Sequence, residues 1–337
     1  MSDAVDRYFM AYDELGDTPN IIVDGSGNPA TQITLSHWPK SGAPKALKAD
    51  TSAEIVFNYL DSPDHHVTAR AVSNNHFDED GLVGLFTLVE PTAALALRPL
   101  FCDVARAGDF ATYDDRQAAR IAFTVSAFAD PDLSPLDEAI FSQPYGAVCA
   151  SLYSEILPRF HDIAVRTDDF RDLWSGEDRA LDESERAIAE GAVTIEEDPA
   201  LDLAVVRIPA DWSSRPVHRF TQLNQEACHP MAIHNATRCN RVLTIHGRRY
   251  TFLYRYESWV QYISAPPPPR VDLGPLAAAL SREEPGGAKW HFDGVSELTP
   301  RLTLHGAGES VLAPERFHAA LTEALATGKP AWDPYDA

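Results

Sequence analysis

Cysteine is scarce in this chain: Cys102, Cys149, Cys228 and Cys239 are the only four in 337 residues. They are too few and too scattered for a disulfide framework, and Cys102 and Cys149 read as core residues of helical segments. Long apolar runs are missing too, since no stretch approaches the roughly 20 residues of a membrane-spanning helix. Met1 to Arg7 lack the basic and apolar blocks that open a signal peptide. The expected location is therefore cytoplasmic, with no membrane partner. There is no Gly-x-Ser-x-Gly elbow, Walker loop or dinucleotide fingerprint, so serine-hydrolase, P-loop and Rossmann readings have no basis in the sequence. Positive charge is also short. Against 50 acidic residues stand 28 Lys and Arg, a formal charge of −22. A field of that sign repels polyanions, so no long nucleic acid is expected as a partner. A small anionic substrate, drawn in by a local basic cluster or a bound cation, stays open.

What is present belongs to a globular chain. Apolar residues make up 45% and charged residues 23%, and the length accommodates two domains of ordinary size. Short apolar strands are expected at Asn20–Val23 and Gln32–Leu35, the first ending at Asp24-Gly25 and the second at Ser36-His37. Thr51 caps a helix over Ala53–Leu60, with Glu54 placed to complete a capping box. A strand over Val67–Val72 leads into Asn74 to Gly81, and helices follow at Leu82 to about Val89, Ala93–Ala107 and Asp115–Ala127. Strands alternating with helices predict an α/β domain with a mainly parallel sheet over residues 1–132. In such sheets ligands gather at the carboxyl ends of strands, where Asp24, His37 and His76 stand.

Residues 133–191 are helical and charge-rich, and read as a connector. From 192 to 337 the pattern changes to a smaller α+β domain. Strands expected at Val193–Glu196, Leu201–Ile208, Arg241–His246 and Arg249–Val260 make it an antiparallel domain, with a further strand near Arg301–Leu304. His246-Gly247-Arg248 is the predicted hairpin turn, Ala265 to Pro269 a stiff spacer, and Leu273–Leu280 and Pro314–Thr327 the helices.

The segment Asn74-Asn75-His76-Phe77-Asp78-Glu79-Asp80-Gly81 carries the chemistry. His76, Asp78 and Asp80 alternate, so in strand geometry they would project from one face. Gly81 permits a turn, and the helix that follows offers free N–H groups to an anion beside a cation. Imidazole with carboxylate suits Mn²⁺, Mg²⁺ or Fe²⁺ better than structural zinc. An acidic capped turn without a metal is the alternative reading.

The string His76-x-Asp78-x-Asp80-Gly81, after a strand and before an apolar helix, resembles the first motif of the DHH phosphoesterases. The resemblance implies an α/β metal domain joined by a helical linker to a smaller substrate domain, two Mn²⁺ or Mg²⁺ ions, and hydrolysis of a phosphoester or phosphoanhydride by activated water. It also implies three further ligands. Asp109, in Ala107-Gly108-Asp109-Phe110, resembles the late Gly-Asp element, and Asp24 and His37 stand for the isolated aspartate and the triplet histidine. The segment from Asp50 to Val56 resembles the one that follows the triplet. The first motif here comes after the elements matching the second and third, which implies a circularly permuted or divergent domain. Asp64-His65-His66 spells the triplet but precedes a strand.

Within Cys228–Cys239, two cysteines and two histidines invite a zinc reading, but their spacing fits no paired pattern. The segment reads instead as a polar loop in which His229, His234 and Arg238 could bind substrate. Arg248, Arg249 and Arg255 lie in an aromatic strand, and Arg249 is a candidate for recognising phosphate or carboxylate. Gly286-Gly287 weakly resembles the family's glycine-rich substrate loop, with His291 four positions on. The expected function is a metal-dependent hydrolase acting on a small anionic substrate. Its alternatives are a metabolite-binding protein on the same scaffold, or metal-dependent C–N bond hydrolysis.

Overall fold

Four short strands near the N-terminus pair in parallel, and this small sheet positions the loops that carry Asp24, His37 and His76. A computed structural model describes residues 6–219 and 222–336. In chain order the first unit runs β1 (Tyr8–Phe9), β2 (Asn20–Val23), β3 (Thr31–Leu35), α1 (Ser52–Leu60), β4 (Ala71–Ser73) and α2 (Glu79–Val89), then α3 (Pro91–Ala96), α4 (Arg98–Phe110), α5 (Arg116–Ala129) and α6 (Tyr145–Val165). The sheet order is β1-β4-β2-β3, every pair parallel.

Such a sheet needs cover on both faces. On one face Ile21, Val23, Leu35 and Val72 pack with apolar residues of α1, α2, α4, α5 and α6 in the main core. On the other, Ile22 and Ala71 meet Leu15, with Met10 and Tyr12 against them. The helix α1 begins where the sequence expects: the Thr51 side chain accepts from the Glu54 N–H while the Glu54 carboxylate accepts from the Thr51 N–H.

The chain divides into two compact units at Arg179/Ala180, inside α7 (Arg171–Ala189), and Tyr262–Ser264 belong with the first. The segment read as a connector is helical, and α6 is built into the first unit's core through Leu152, Tyr153, Ile156, Phe160 and Ile163. The apolar spacing of α6 alone cannot distinguish a core helix from a linker helix.

The second unit contains β5 (Thr194–Asp198), β6 (Leu203–Ile208), β7 (Arg215–Arg219), β8 (Gln222–Glu226), α8 (Pro230–Ala236), β9 (Arg241–His246) and β10 (Arg249–Tyr254). It closes with β11 (Arg270–Val271), α9 (Gly274–Ser281), β12 (Lys289–Phe292), β13 (Arg301–His305), α10 (Pro314–Thr327) and β14 (Pro330–Trp332). Its main sheet has the order β12-β13-β10-β9-β6-β5. This sheet is mixed: β6 and β9 run parallel, joined by a crossover through β7, β8 and α8, and the other neighbours are antiparallel.

Several local expectations shift. The strand expected over Val67–Val72 narrows to Ala71–Ser73, and the helix expected over Ala93–Ala107 is two helices broken at Leu97, each opened by a proline in its first turn. The expected polar loop at Cys228–Cys239 contains α8, and β10 stops at Tyr254 before a 3₁₀ turn over Tyr256–Ser258. Gly247 takes the positive φ of +61° that the hairpin turn needs. Thr51→Ala removes one half of the capping box, and is expected to lower unfolding free energy by about 1 kcal/mol in denaturant titration with an unchanged m-value.

Candidate metal centre

The parallel strands β4, β2 and β3 lie side by side, so their carboxyl ends deliver three loops to one place. Asp24 follows β2 directly with φ +48°, a left-handed conformation that Asp tolerates better than most residues. His37 lies two residues past β3. Asn74, His76 and Asp78 come from the loop after β4.

These side chains converge. His76 Nε2 lies 3.2 Å from Asp24 Oδ2 and 2.8 Å from Asp78 Oδ2. His37 Nε2 lies 3.5 Å from Asp24 Oδ1, 3.4 Å from Asp109 Oδ2 and 3.9 Å from Asp80 Oδ2. All six residues singled out in the sequence thus meet, including Asp109 from the last turn of α4. Two overlapping groups have the ligand geometry of a cation site, Asp24/His76/Asp78 and Asp24/His37/Asp80, and they share Asp24.

The reason for convergence differs from the one the alternation suggested. Asp78 is the N-cap of α2, its Oδ1 accepting from the Gly81 N–H at 2.9 Å, and Asp80 already lies within the first turn. A cap residue followed by a helical turn, and not an extended strand, turns both carboxylates toward the sheet edge. Gly81 serves close packing rather than a turn, because a Cβ there would sit 2.2 Å from Asn74 Nδ2 and 2.7 Å from the Tyr153 hydroxyl.

Around these ligands stands a shell that sequence reasoning did not anticipate. Asp80 accepts from the backbone N–H groups of Ser52 and Ala53, both at 2.7 Å, so the open N-terminus of α1 holds its charge. The Ser52 hydroxyl donates to Asp24 Oδ1 at 2.7 Å, and its oxygen accepts the His37 N–H. His37 Nδ1 lies 2.6 Å from the Asp50 carbonyl oxygen, a contact that orients the ring with Nε2 toward the carboxylates. The His76 ring stacks on Trp38 with centroids 5.1 Å apart. Asn74 donates to the Tyr153 hydroxyl and accepts from the His76 N–H, fixing the start of the motif. Ser126 donates to the Glu79 carboxylate. Only the free N–H groups expected after a cap residue hint at Ser52 in the sequence; Trp38, Tyr153 and Ser126 leave no local signal.

Charge defines the site's chemistry. Asp24, Asp80 and Asp109 are each about 1% exposed or less. Burial pushes Asp80 well above the usual carboxylate range, with the negative charges of Asp24 and Asp78 adding to it. Asp109 is raised likewise by burial and then by Asp80, Asp78 and Asp24. Burial also raises Asp24, but hydrogen bonding to His76 and the charges of His76 and His37 outweigh it and bring it to about 2. Desolvation lowers His76, yet Asp78 and Asp24 together lift it well above its ordinary value. Buried carboxylates that repel one another this way are relieved by protonation or by a cation, and oxygen and imidazole donors this close together could hold a metal ion.

The remaining candidates do not join this centre. His66 Nε2 lies 2.8 Å from the Tyr59 carbonyl oxygen and its ring packs on Tyr59, while His65 closes a 3₁₀ turn. In the second unit His229 is the N-cap of α8, its Nδ1 accepting the Met231 N–H, and His234 is buried. Arg238 is exposed. Arg255 is buried, donating to the Thr237 carbonyl oxygen and the Glu257 carboxylate. Neither cysteine of Cys228–Cys239 belongs to a metal-capable group among the described residues.

Ser52→Ala strips a hydroxyl from Asp24 while leaving both backbone donors to Asp80. Second-layer losses of this kind cost about 10- to 100-fold in metal affinity, and a drop of that size is expected for Mn²⁺ by calorimetric titration, with little change in the far-ultraviolet circular dichroism.

No curated protein and no solved structure matches the chain, and a family model covers residues 5–336, nearly its whole length. The chain belongs to that family, the family of unknown function DUF6687.

Proposed function

We propose that this chain is a metal-dependent hydrolase of a small phosphoester or phosphoanhydride, a divergent relative of the DHH phosphoesterases with a permuted order of motifs. The observation that carries the reading is the pair of metal-capable triads sharing Asp24 at the carboxyl edge of a parallel sheet. His76, Asp78, Asp24, His37, Asp80 and Asp109 would hold two Mn²⁺ or Mg²⁺ ions, Fe²⁺ also suiting the donors. Bound ions would polarise the scissile phosphoryl group and lower the pKa of an attacking water.

The chain's own residues do the positioning. His76 and Asp78 hold one side, His37, Asp80 and Asp109 the other, and Asp24 ties them together. The α1 N-terminus keeps Asp80 in place without neutralising it by a proton donor side chain. Trp38 covers the His76 ring and limits water on that side. The centre itself offers carboxylates and imidazoles, none of them an activated Ser or Cys nucleophile, which supports direct attack by water. The acidic field of a chain at −22 favours a small substrate over a long nucleic acid.

Mn²⁺ should raise the melting temperature, because occupation of a native-only site at about 100 times its dissociation constant stabilises by about 2.7 kcal/mol. The paired variant Asp78→Asn/Asp80→Asn should lose both the bound metal, read by elemental analysis, and Mn²⁺-dependent release of phosphate from small phosphoesters and pyrophosphate. Unchanged metal content in that variant sinks the metal centre; metal loss with no turnover in the wild type on any of these substrates sinks the hydrolase.

A further inference from the structure

The main sheet of the second unit buries one face and leaves the other polar. Tyr250, Phe252 and Tyr254 of β10, with Leu302 of β13 and Trp290 and Phe292 of β12, pack under Leu280 of α9 and Phe317 and Leu321 of α10. Alternation along each strand therefore sends Thr244 and His246 of β9, Arg249 and Thr251 of β10, and Arg301 and Thr303 of β13 to the opposite side. That side is the floor of an open cavity of about 750 Å³, the size of a small-metabolite site. Asn224 to Ala227, at the end of β8, and Ala307 to Glu309, after β13, form parts of its wall.

The cavity lining holds three arginines, Arg248, Arg249 and Arg301, and three acids, Glu226, Asp293 and Glu309, a larger basic share than the chain as a whole carries. With 50 acids to 28 bases, a cation usually finds a carboxylate. Arg301 does, donating to Glu226 at 2.8 Å. Arg248 and Arg249, both lining the cavity, make no ion pair among the described residues. Arg248 Nη1 donates to the Val311 carbonyl oxygen at 2.8 Å. Arg249 Nη2 reaches only His246 Nε2, at the long distance of 3.5 Å. His246 is itself buried, and its pKa is lowered by desolvation and then by Arg249, so it stays neutral and leaves the guanidinium charge unanswered. Two arginines without carboxylates, over a floor of threonine hydroxyls, match a tetrahedral oxyanion that accepts both charged and neutral hydrogen bonds. A flat hydrophobic ligand would find little here. A long polyanion would meet Glu226, Asp293 and Glu309 on the same walls.

We propose that this cavity is an anion site for a small phosphate-bearing molecule, with Arg249 and Arg248 as its charged donors and Thr251 and Thr303 as its neutral ones. It is made wholly of second-unit residues and does not depend on the metal centre.

The test uses the full-length protein in EDTA, so that no cation holds phosphate elsewhere, with inorganic pyrophosphate as the probe and citrate as a carboxylate comparator. Calorimetric titration is expected to show saturable pyrophosphate binding that weakens as salt rises, and weaker binding of citrate. Arg249→Gln, a change at an exposed position, should cut pyrophosphate affinity at least about tenfold, the loss of one charge-assisted contact, while its melting temperature stays at the wild-type value. Arg248→Gln should act in the same direction, and Arg238→Gln, at an exposed arginine outside the cavity, should change nothing. Asp78→Asn/Asp80→Asn should bind pyrophosphate as the wild type does, which separates this site from the metal centre. Absent binding, binding indifferent to both cavity arginines, or tighter binding of citrate overturns the proposal.

Discussion

Four aspartate carboxylates and two imidazoles meet with nitrogen–oxygen distances of 2.8 to 3.9 Å, three of the carboxylates almost wholly out of water. Like charges this close cannot all remain ionised without compensation, and folding alone supplies only part of it: two backbone N–H groups and a helix dipole for Asp80, a hydroxyl for Asp24, two histidines for the whole group. In the absence of cations the balance falls on His76, drawn toward its protonated form, and on Asp80 and Asp109, drawn toward theirs. The first unit is therefore a scaffold built to keep repelling groups together, and its core has to be stable enough to bear that. The continuous apolar cluster from the sheet through α1, α2, α4, α5 and α6 meets this requirement.

Much of the centre was legible before the fold was known. Asp24 and His37 stand immediately after short apolar runs, where a parallel sheet exposes its ligands, and the acid-rich segment before an apolar helix marks the third loop. What the sequence could not convey was the means of convergence. The two-residue alternation of His76, Asp78 and Asp80 looks like a strand pattern, but a period of two over three residues fits a cap residue and a first helical turn equally well. Here the capping bond from Gly81 to Asp78 decides the geometry. Tyr153 and Ser126 were out of reach for a different reason: they lie on helices far along the chain, and only tertiary packing brings them to Asn74 and Glu79.

Sequence chemistry misled where a residue's type outweighed its surroundings. His229 and His234 look like ligands by composition, yet one caps a helix and the other is buried, both frequent fates of histidine. Arg255 and Arg249 belong to one aromatic segment and diverge because β10 ends between them. Arg249 stays on a strand whose alternation points it away from the core, whereas Arg255 begins the 3₁₀ turn and is drawn inside to satisfy backbone carbonyls and Glu257. A boundary displaced by a few residues is thus enough to leave one arginine at the surface and bury the other.

The acidic cluster is assembled by neighbourhood in the sheet and not by neighbourhood in the sequence. The loops after β2, β3 and β4 meet because those strands are parallel neighbours in the order β4-β2-β3, and not because their motifs are close in sequence. Asp109 is the exception that fits the same rule: it arrives on a helix, and its place is set by α4 packing against α2, where a Cβ on Gly108 would lie 2.6 Å from the Cβ of Glu79. Three loops fixed by one sheet and one carboxylate fixed by a close helix pair make a centre whose geometry depends on adjacency alone.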